Sequence, residues 1–297
     1  MRLLCLATVL VLAGCEVNVN SEGIVSRETK TFAVTGVPEL VLDTFDGSIE
    51  VHSWDRQDVE IEIERRGLDQ SVIDEMTVTA EQRGNRIEVK VSNPRRDRDF
   101  DGIQIGVDVS PTARLRVAVP RETQLTATSG DGSITVEDIT GKISLHANNG
   151  SVRGSRVSGE LEVRSGDGSI RLDRAEGKID LETEDGSITL EAKPSALRAR
   201  TTDGSIRVEV EADSEMIADW DLQTADGTVV VTLPSDFSGV IDAETRDGSV
   251  RTSHPAISTE ERQGERRGDH RRTLQATLGS GGKTIRVRTG DGSIRIE

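Results

Sequence analysis

Apolar and polar residues alternate along most of this chain, in short runs that end at a recurring four-residue phrase. In the middle of the sequence the apolar positions keep a fixed offset from that phrase, as Ile134, Val136, Ile143 and Leu145 do in the first unit. Alternation with a period of two residues is typical of β-strands that bury one face. The pattern therefore predicts two short strands in each unit, with a turn after each strand.

The phrase consists of Asp or Asn, then Gly, then Ser or Thr, then Ile or Val. Five consecutive copies, from Asp131 to Asp203, begin 18 residues apart, and a fixed short period indicates stacked coils. The residues that we predict to form structural repeat turns are Asp46, Gly47, Asp131, Gly132, Asn149, Gly150, Asp167, Gly168, Asp185, Gly186, Asp203, Gly204, Asp226, Gly227, Asp247, Gly248, Asp291 and Gly292.

These patterns predict an all-β fold, a single-stranded parallel β-helix (β-solenoid) with about 18–23 residues per coil. Right-handed coiling is favoured, because parallel crossover connections are nearly always right-handed. A left-handed helix of hexapeptides is excluded, since six-residue steps from Ile134 reach Thr140 and His146 instead of aliphatic residues. After Asp203 the intervals between phrases lengthen to 23, 21 and 44 residues, and we expect the additions at turns. The last coil is expected to leave an edge strand, exposed or paired.

The turns and the interior have a structural interpretation. Gly is expected to supply positive φ and Asp to bond its own turn, while the interior columns are expected to be apolar at every level. A column of metal-binding carboxylates is disfavoured, because Asn149 carries no charge and no second acidic residue recurs at a fixed offset. A hydroxyl ladder that satisfies turn amides is predicted at Ser48, Ser133, Ser151, Ser169, Ser187, Ser205, Thr228, Ser249 and Ser293.

The start of the chain reads as an export signal. One charge and an apolar run too short to span a bilayer precede Leu12-Ala13-Gly14-Cys15, which looks like a bacterial lipobox. We therefore predict lipidation of Cys15, a lipoprotein signal peptide at 1–14 and a polar tether at 15–28. The product would be exported and lipid-anchored to the envelope, with the outer membrane favoured if the organism has one.

The remaining chain divides into two parts. Residues 29–120 form a β-rich part with longer, irregular coils, a charged loop at 94–101, a short helix or an irregular excursion after Arg65, and a hairpin at Arg83-Gly84-Asn85. Residues 121–297 form the regular solenoid, with a charged insert at about 254–272. Both charged segments and the longer coils after Asp203 interrupt the period, so a localised function is best sought there.

The amino-acid composition limits which partners, functional sites and core residues the chain can have. The net charge is −16, with 53 acidic against 37 basic residues, which argues against a nucleic-acid partner. The four His residues are scattered, and no catalytic residue, metal site or cofactor is predicted. With four Phe, two Trp and no Tyr, the core must consist of small branched side chains.

The chain resembles the bacterial "putative adhesin" domains of unknown function. The similarity covers about 29–297 and rests on the segment from Gly47 to Ile61, on Val117-Ala118-Val119-Pro120, and on the repeated phrase itself. The resemblance implies a right-handed, β-helix-like fold and an association with the cell envelope. It supplies no catalytic or binding residues.

Three functions remain open from the sequence. The first is a non-enzymatic, lipid-anchored envelope protein whose solenoid makes structural or adhesive contacts with the membrane and an envelope protein or glycan. The second is a carbohydrate-active β-helix enzyme that acts on envelope or extracellular polysaccharide. The third is an envelope-stress partner of a membrane protein, docked through the charged loops near Arg95 or Arg266. The first is favoured, because no catalytic set is visible.

Overall fold

The computed structural model describes residues 15–20, 23–93, 110–257 and 271–297. The predicted signal peptide, the charged loop at 94–101 and most of the insert at 254–272 lie outside the described residues. The described chain forms 23 strands in one continuous sheet and a single short helix. The prediction of an all-β fold is therefore confirmed. None of the described helices is long and apolar enough to cross a membrane.

The strands and the helix α1 have the following bounds: β1 Cys15–Asn20, β2 Gly23–Ala33, β3 Glu39–Thr44, β4 Ile49–Trp54, β5 Asp58–Gly67, α1 Gln70–Glu75, β6 Thr77–Arg83, β7 Arg86–Ser92, β8 Thr112–Pro120, β9 Gln124–Ser129, β10 Ile134–Glu137, β11 Thr140–Ala147, β12 Val152–Ser155, β13 Ser158–Ser165, β14 Ile170–Thr183, β15 Ile188–Thr201, β16 Ile206–Val210, β17 Trp220–Thr224, β18 Val229–Thr232, β19 Gly239–Asp247, β20 Val250–Thr252, β21 Arg272–Leu278, β22 Thr284–Asp291 and β23 Ile294–Ile296. Of the two alternatives predicted after Arg65, the short helix is present, and the hairpin between β6 and β7 is as predicted.

Hydrogen-bonded neighbours arrange the strands in two rows, which we call face A and face B. Face A runs through β6, β7, β3, β9, β11, β13, β14, β15, β17, β22, β19 and β21. Face B runs through β1, β2, β5, β8, β4, β10, β12, β14, β15, β16, β18, β23 and β20. Each coil contributes one segment to each face, and the long strands β14 and β15 contribute to both.

In the regular region each strand pairs in parallel with its equivalent 18 residues later. Ile134 pairs with Val152 on face B, and Ile143 pairs with Leu161 on face A. Alternate side chains point inward and are buried, so that Ile134 and Val152 have no exposed surface. A fully buried aliphatic side chain of this size contributes roughly 1.5–3 kcal/mol. The inward side chains of successive coils therefore stack into columns, and these columns form the core of small branched residues that the composition predicts.

The prediction of an entirely parallel, single-stranded helix is corrected at both ends of the stack. At the N-terminal end, β1, β2, β5 and β8 pair antiparallel with one another on face B, and β6 pairs antiparallel with β7 on face A. At the other end, β21 pairs antiparallel with β19. A terminal coil has no further coil to pair with, and these antiparallel strands satisfy its open edge instead.

The order of coils also differs from the chain order. The coil of β3 and β4 lies between the coil of β7 and β8 and that of β9 and β10. The last strands, β22 and β23, lie between the coil of β17 and β18 and that of β19 and β20. Ile294 thus pairs with both Val229 and Val250. The final coil is internal, and the edge that the sequence predicts for it is absent from the described stack.

The structure places paired strands where the sequence predicts a polar tether. Strand β1 begins at Cys15 and pairs antiparallel with β2, with Cys15 opposite Glu28. Strand β2 begins at Gly23 and pairs with β5 from Ile24 to Ala33. The backbone from Cys15 onward is thereby joined to the N-terminal end of face B.

Candidate functional site

The repeated turns form one column along the edge where face A meets face B, and close stacking requires their glycines. A Cβ atom on Gly168 would lie 2.2 Å from the carbonyl oxygen of Gly150. A Cβ on Gly186 would lie 2.1 Å from the oxygen of Gly168. Among the nine turn glycines only Gly47 and Gly248 have positive φ, so the predicted reason for Gly is wrong at most levels. The glycines are needed because successive backbones approach too closely for a side chain.

Buried hydroxyl groups form a second column, three residues before each turn glycine. Thr201, which is typical, donates from Oγ1 to the oxygens of Glu184 and Gly186 at 3.0 and 2.9 Å and accepts from the N–H of Gly204 at 3.2 Å. The members are Thr44, Ser129, Ser165, Thr183, Thr201, Thr224, Thr245 and Thr289. Ala147 replaces the hydroxyl at one level. The expectation of an apolar interior at every level is therefore corrected.

This hydroxyl column is the set that sequence reasoning missed. The signal was present, because Ser or Thr recurs at a fixed offset of three residues before Gly in eight of the nine phrases. An alternating strand pattern hides it, since Thr also fits an ordinary strand position. Where a hydroxyl is present, it connects the turn of its own coil to the turn of the neighbouring coil through hydrogen bonds between uncharged groups.

The acidic and imidazole side chains do not come together. The phrase carboxylates are exposed along the edge, and Asn149 donates from Nδ2 to Oδ1 of Asp131 at 2.7 Å. His146 lies on face A, whereas His254 is buried with Nε2 3.2 Å from the oxygen of Pro234. Among the residues that the structure describes, no three His, Cys, Asp or Glu side chains are grouped as metal ligands.

The outward side chains of face A form ion pairs between coils. Lys178 bonds Glu160 of the preceding coil at 2.8 Å, and this hydrogen bond raises the pKa of Lys178. Arg164 pairs with Glu162 on its own strand and with Glu182 of the next coil. Like charges meet at some places on this face, with Glu162 opposite Asp180 and Arg83 opposite Arg86. Elsewhere basic and acidic residues alternate from coil to coil, as in the column of Lys142, Glu160 and Lys178. Exposed pairs of this kind add modestly to stability.

Further pairs continue the same pattern on face A. Arg200 bonds Asp221 at 2.5 Å, and Arg288 bonds Asp242 at 2.5 Å. A related pair occupies the corner opposite the phrase, where Arg156 bonds both carboxylate oxygens of Asp138 at 2.6 and 2.7 Å. The hydrogen bond from Arg156 lowers the pKa of Asp138, so the pair stays charged at neutral pH.

The outward side chains of face B are arranged differently. The Ser of each phrase starts the face, and the side chain two residues later is frequently Arg. Arg153 lies directly opposite Arg171 in the register of β12 and β14, and Arg295 lies opposite Arg251 in that of β23 and β20. A third outward position carries acidic residues, with Asp173 opposite Glu191. Face B therefore sorts hydroxyl, basic and acidic groups into separate columns.

The profile of the family Toastrack DUF4097 matches residues 37–297. This chain belongs to that family. The resemblance to domains of unknown function that the sequence indicates is thus confirmed. The matched residues include the column of turn glycines, the column of buried hydroxyl groups and strands of both faces.

Solved structures similar to this Toastrack chain have low sequence identity to it. A "putative adhesin" from Bacteroides fragilis has a TM-score of 0.48 and 12% identity, over 91% of this chain and 97% of that one. A "putative adhesin" from Parabacteroides merdae has a TM-score of 0.39 and 11% identity, over 91% and 96%. A "putative lipid binding protein" from Parabacteroides distasonis has a TM-score of 0.36 and 11% identity, over 91% and 96%. A search of curated proteins found no match.

The longer coils of the Toastrack chain place their additional residues at one corner. Segments 211–219, 233–238 and 279–283 line an open groove there, with Met216, Phe237 and Lys283 among its walls. Phe237 packs on the buried Trp220, with ring centroids 5.6 Å apart. Ile217 beside the groove is 73% exposed. The predicted location of the additions, at turns, is confirmed for these segments.

Proposed function

We propose that this protein is a lipid-anchored, non-enzymatic component of the bacterial cell envelope that presents a structural or adhesive repeat surface. The observation that carries the proposal is the register of the stack. Residues 18 apart pair in register through the regular coils, so each outward position forms a column that runs along the stack. Columns of identical donors or charges suit contact with an extended partner better than they suit conversion of a small substrate.

The anchor follows from the lipobox at Leu12 to Cys15 and from the start of β1. Acyl chains on Cys15 would lie beside the N-terminal end of face B, because Cys15 pairs with Glu28 of β2. Dual or triple acylation gives stable attachment, since each buried methylene contributes about 0.8 kcal/mol. We further propose outer-membrane attachment where a second membrane exists, and right-handed coiling of the stack.

The anchor is tested by fractionation of cells that express the full-length chain. Cys15→Ser removes the thiol that would be acylated, and the protein is expected to leave the membrane fraction. Cys5→Ser, which changes the other cysteine of the chain, is the matched control and is expected to remain in membranes. Equal fractionation of both variants would refute lipid anchoring.

The structural or adhesive role is tested by removing one coil. Deletion of residues 150–167 joins Asn149 to Gly168 and restores an intact phrase, so the protein is expected to fold with a shorter stack. Attachment to envelope preparations is expected to fall in proportion to the lost length. A screen of envelope glycans for released products distinguishes the carbohydrate-active enzyme hypothesis from the non-enzymatic one. A product made by the parent chain and abolished by the deletion would contradict the proposal.

A further inference from the structure

Five arginines lie in one row on face B. The row follows the strand register of β12, β14, β15, β16, β18, β23 and β20. In spatial order its members are Arg153, Arg171, Thr189, Arg207, Val230, Arg295 and Arg251. All five arginines are exposed. We call this set the arginine row.

Within the described part of the chain, the arginine row lacks the ion pairs between coils that predominate on face A. Like charges directly opposite one another destabilise a sheet, yet two neighbouring pairs of arginines occur here. Arg171 bonds Asp173 on its own strand at 2.9 Å, and Arg295 lies 3.9 Å from Glu297. Arg153, Arg207 and Arg251 have no acidic partner among the described residues. Local rules are broken chiefly where function requires it, so the row calls for an anionic partner.

A column of hydroxyl groups runs beside the arginine row. The Oγ of Ser169 accepts from the N–H of Ser187 at 3.4 Å, and the Oγ of Ser187 accepts from the N–H of Ser205 at 3.3 Å. Accepting these bonds leaves each O–H free to donate outward. At the other end of the row, Ser249 and Ser293 have Oγ atoms 3.1 Å apart. Arg171 therefore has the hydroxyl of Ser169 beside it, and in the Ser249–Ser293 pair one O–H bonds the other oxygen while the second is left to donate beside Arg251 and Arg295.

The spacing of the row identifies the shape of the partner. Coils are separated by about 4.8 Å, so Arg171, Arg207 and Arg295 recur at intervals of about 9.6 Å, every second coil. Arg153 and Arg251 extend the row by one coil at each end. The spacing fits an extended chain whose anionic groups are separated by uncharged units.

We propose that the arginine row and its hydroxyl column bind a linear anionic polysaccharide that lies along the stack. The proposal rests on the envelope role proposed above and names the partner and the face. Guanidinium groups bind carboxylate, sulfate and phosphate groups through paired hydrogen bonds, and the hydroxyl column donates to sugar oxygens. Recognition by charge explains how a surface with few aromatic residues holds a glycan.

Other polyanions fit the row less well. Phosphates of duplex DNA recur every 3.4 Å along a strand, and outward side chains of an extended acidic peptide recur at about 6.8 Å. A membrane surface would contact the whole face at once, and the acidic column at Asp173, Glu191 and Glu209 would repel its anionic headgroups. The same column confines a bound chain to the single track of arginines and serines.

The test compares matched variants of the mature protein. Arg153→Thr, Arg171→Thr and Arg207→Thr together copy Thr189, which already occupies this row, so folding is expected to be retained. The control removes the same charge from face A with Arg164→Thr, Lys178→Thr and Arg198→Thr. Heparin and polygalacturonate are the linear anionic probes, dextran is the neutral one, and phosphatidylglycerol vesicles and duplex DNA are the competitors.

We expect the parent protein to bind an anionic probe, with affinity that falls as salt rises. The face B variant is expected to lose roughly tenfold or more in affinity, and the control is expected to stay within about twofold. Glu191→Gln with Glu209→Gln is expected to strengthen binding, because it removes the flanking repulsion. Equal losses in both triple variants, no binding to either anionic probe, or tighter binding to vesicles or DNA would overturn the inference. Fractionation of Cys15→Ser is unaffected by any of these results, so the two proposals fail separately.

Discussion

Faces A and B are built on the same coils and the same core, yet they distribute charge in opposite ways. On face A, Lys178 bonds Glu160 and Arg288 bonds Asp242, so the sign alternates between most coils, and Glu162 opposite Asp180 is an exception. On face B, Arg153 faces Arg171 and Asp173 faces Glu191, so the sign is constant along each column. Alternation stabilises the stack, whereas segregation leaves charge available to a partner. We propose on this basis that face A serves folding and face B serves recognition.

Face B itself changes character along its length. At its antiparallel N-terminal end, Arg116 bonds Glu62 at 2.9 Å and Arg27 bonds Glu64 at 2.7 Å. Burial alone would raise the pKa of Glu64, but the hydrogen bond and charge of Arg27, with Arg114 and Arg116 nearby, hold that pKa below its usual value. Opposite charges are therefore matched here, as on face A. The arginine row begins in the second regular coil, at Arg153, because Thr135 holds the equivalent position in β10.

The largest expected effect comes from the turn column that joins the two faces. In Gly168→Ala the new Cβ would lie 2.2 Å from the Gly150 oxygen, so adjacent coils must separate on both faces. We expect a loss of at least about 3 kcal/mol in the free energy of unfolding, measured by chemical denaturation.

Gly84→Ala is the control for this turn variant. Gly84 has a φ of 65° but no atom within 4 Å of its Cβ position, so only the backbone strain of about 1–2 kcal/mol is expected. Similar losses in the two variants would show that close stacking of coils is not what requires the turn glycines.

The next effect concerns the buried hydroxyl column. Thr201→Val keeps the shape of the side chain but leaves the N–H of Gly204 and the oxygen of Gly186 without their partner. We expect a loss of about 1–3 kcal/mol in the free energy of unfolding. Thr202→Val, at the neighbouring exposed position, is expected to stay within about 0.5 kcal/mol of the parent. A neutral Thr201→Val would mean that the hydroxyl column does not fix the turns.

The smallest effects test the contrast between the faces directly, because their signs differ. On face A, Arg288→Glu places a third carboxylate beside Asp242 and Glu244 and is expected to destabilise by a few tenths to about 1 kcal/mol. On face B, Arg153→Glu faces Arg171 and is expected to stabilise by a few tenths of a kcal/mol. Thermal unfolding at low and high salt measures both, since salt is expected to shrink each shift. Shifts of the same sign would remove the distinction between the faces.

The local structure could be predicted from the sequence because it is encoded by short-range patterns. Alternation marked the strands, and the 18-residue period gave the register of Ile134 with Val152. The inward columns followed from the same alternation. The predicted repeat turns also lie in one column. Gly168 is required there because neighbouring backbones approach closely, and not because its φ is positive.

The order of coils could not be predicted, because it depends on which edges are free when the chain folds. Nothing in the spacing of the phrases shows that Ile294 enters between Val229 and Val250. The second pair of arginines does not depend on that order, since Arg251 and Arg295 belong to consecutive phrases and would be neighbours in chain order as well. The antiparallel ends were missed for the same reason as the order of coils. Sequence periodicity specifies strand pairing within the regular coils. At the two ends of the stack, strand order depends on tertiary contacts that the period does not encode.

The insertion of β22 and β23 also limits how the molecule can form and vary. The coil of β19 and β20 has no partner toward the rest of the stack until the last 14 residues, from Thr284 to Glu297, are in place. A chain that is still being synthesised therefore holds an open slot that residues 284–297 fill. Changes in length are expected within 131–203, where a duplicated unit meets identical neighbours on both sides.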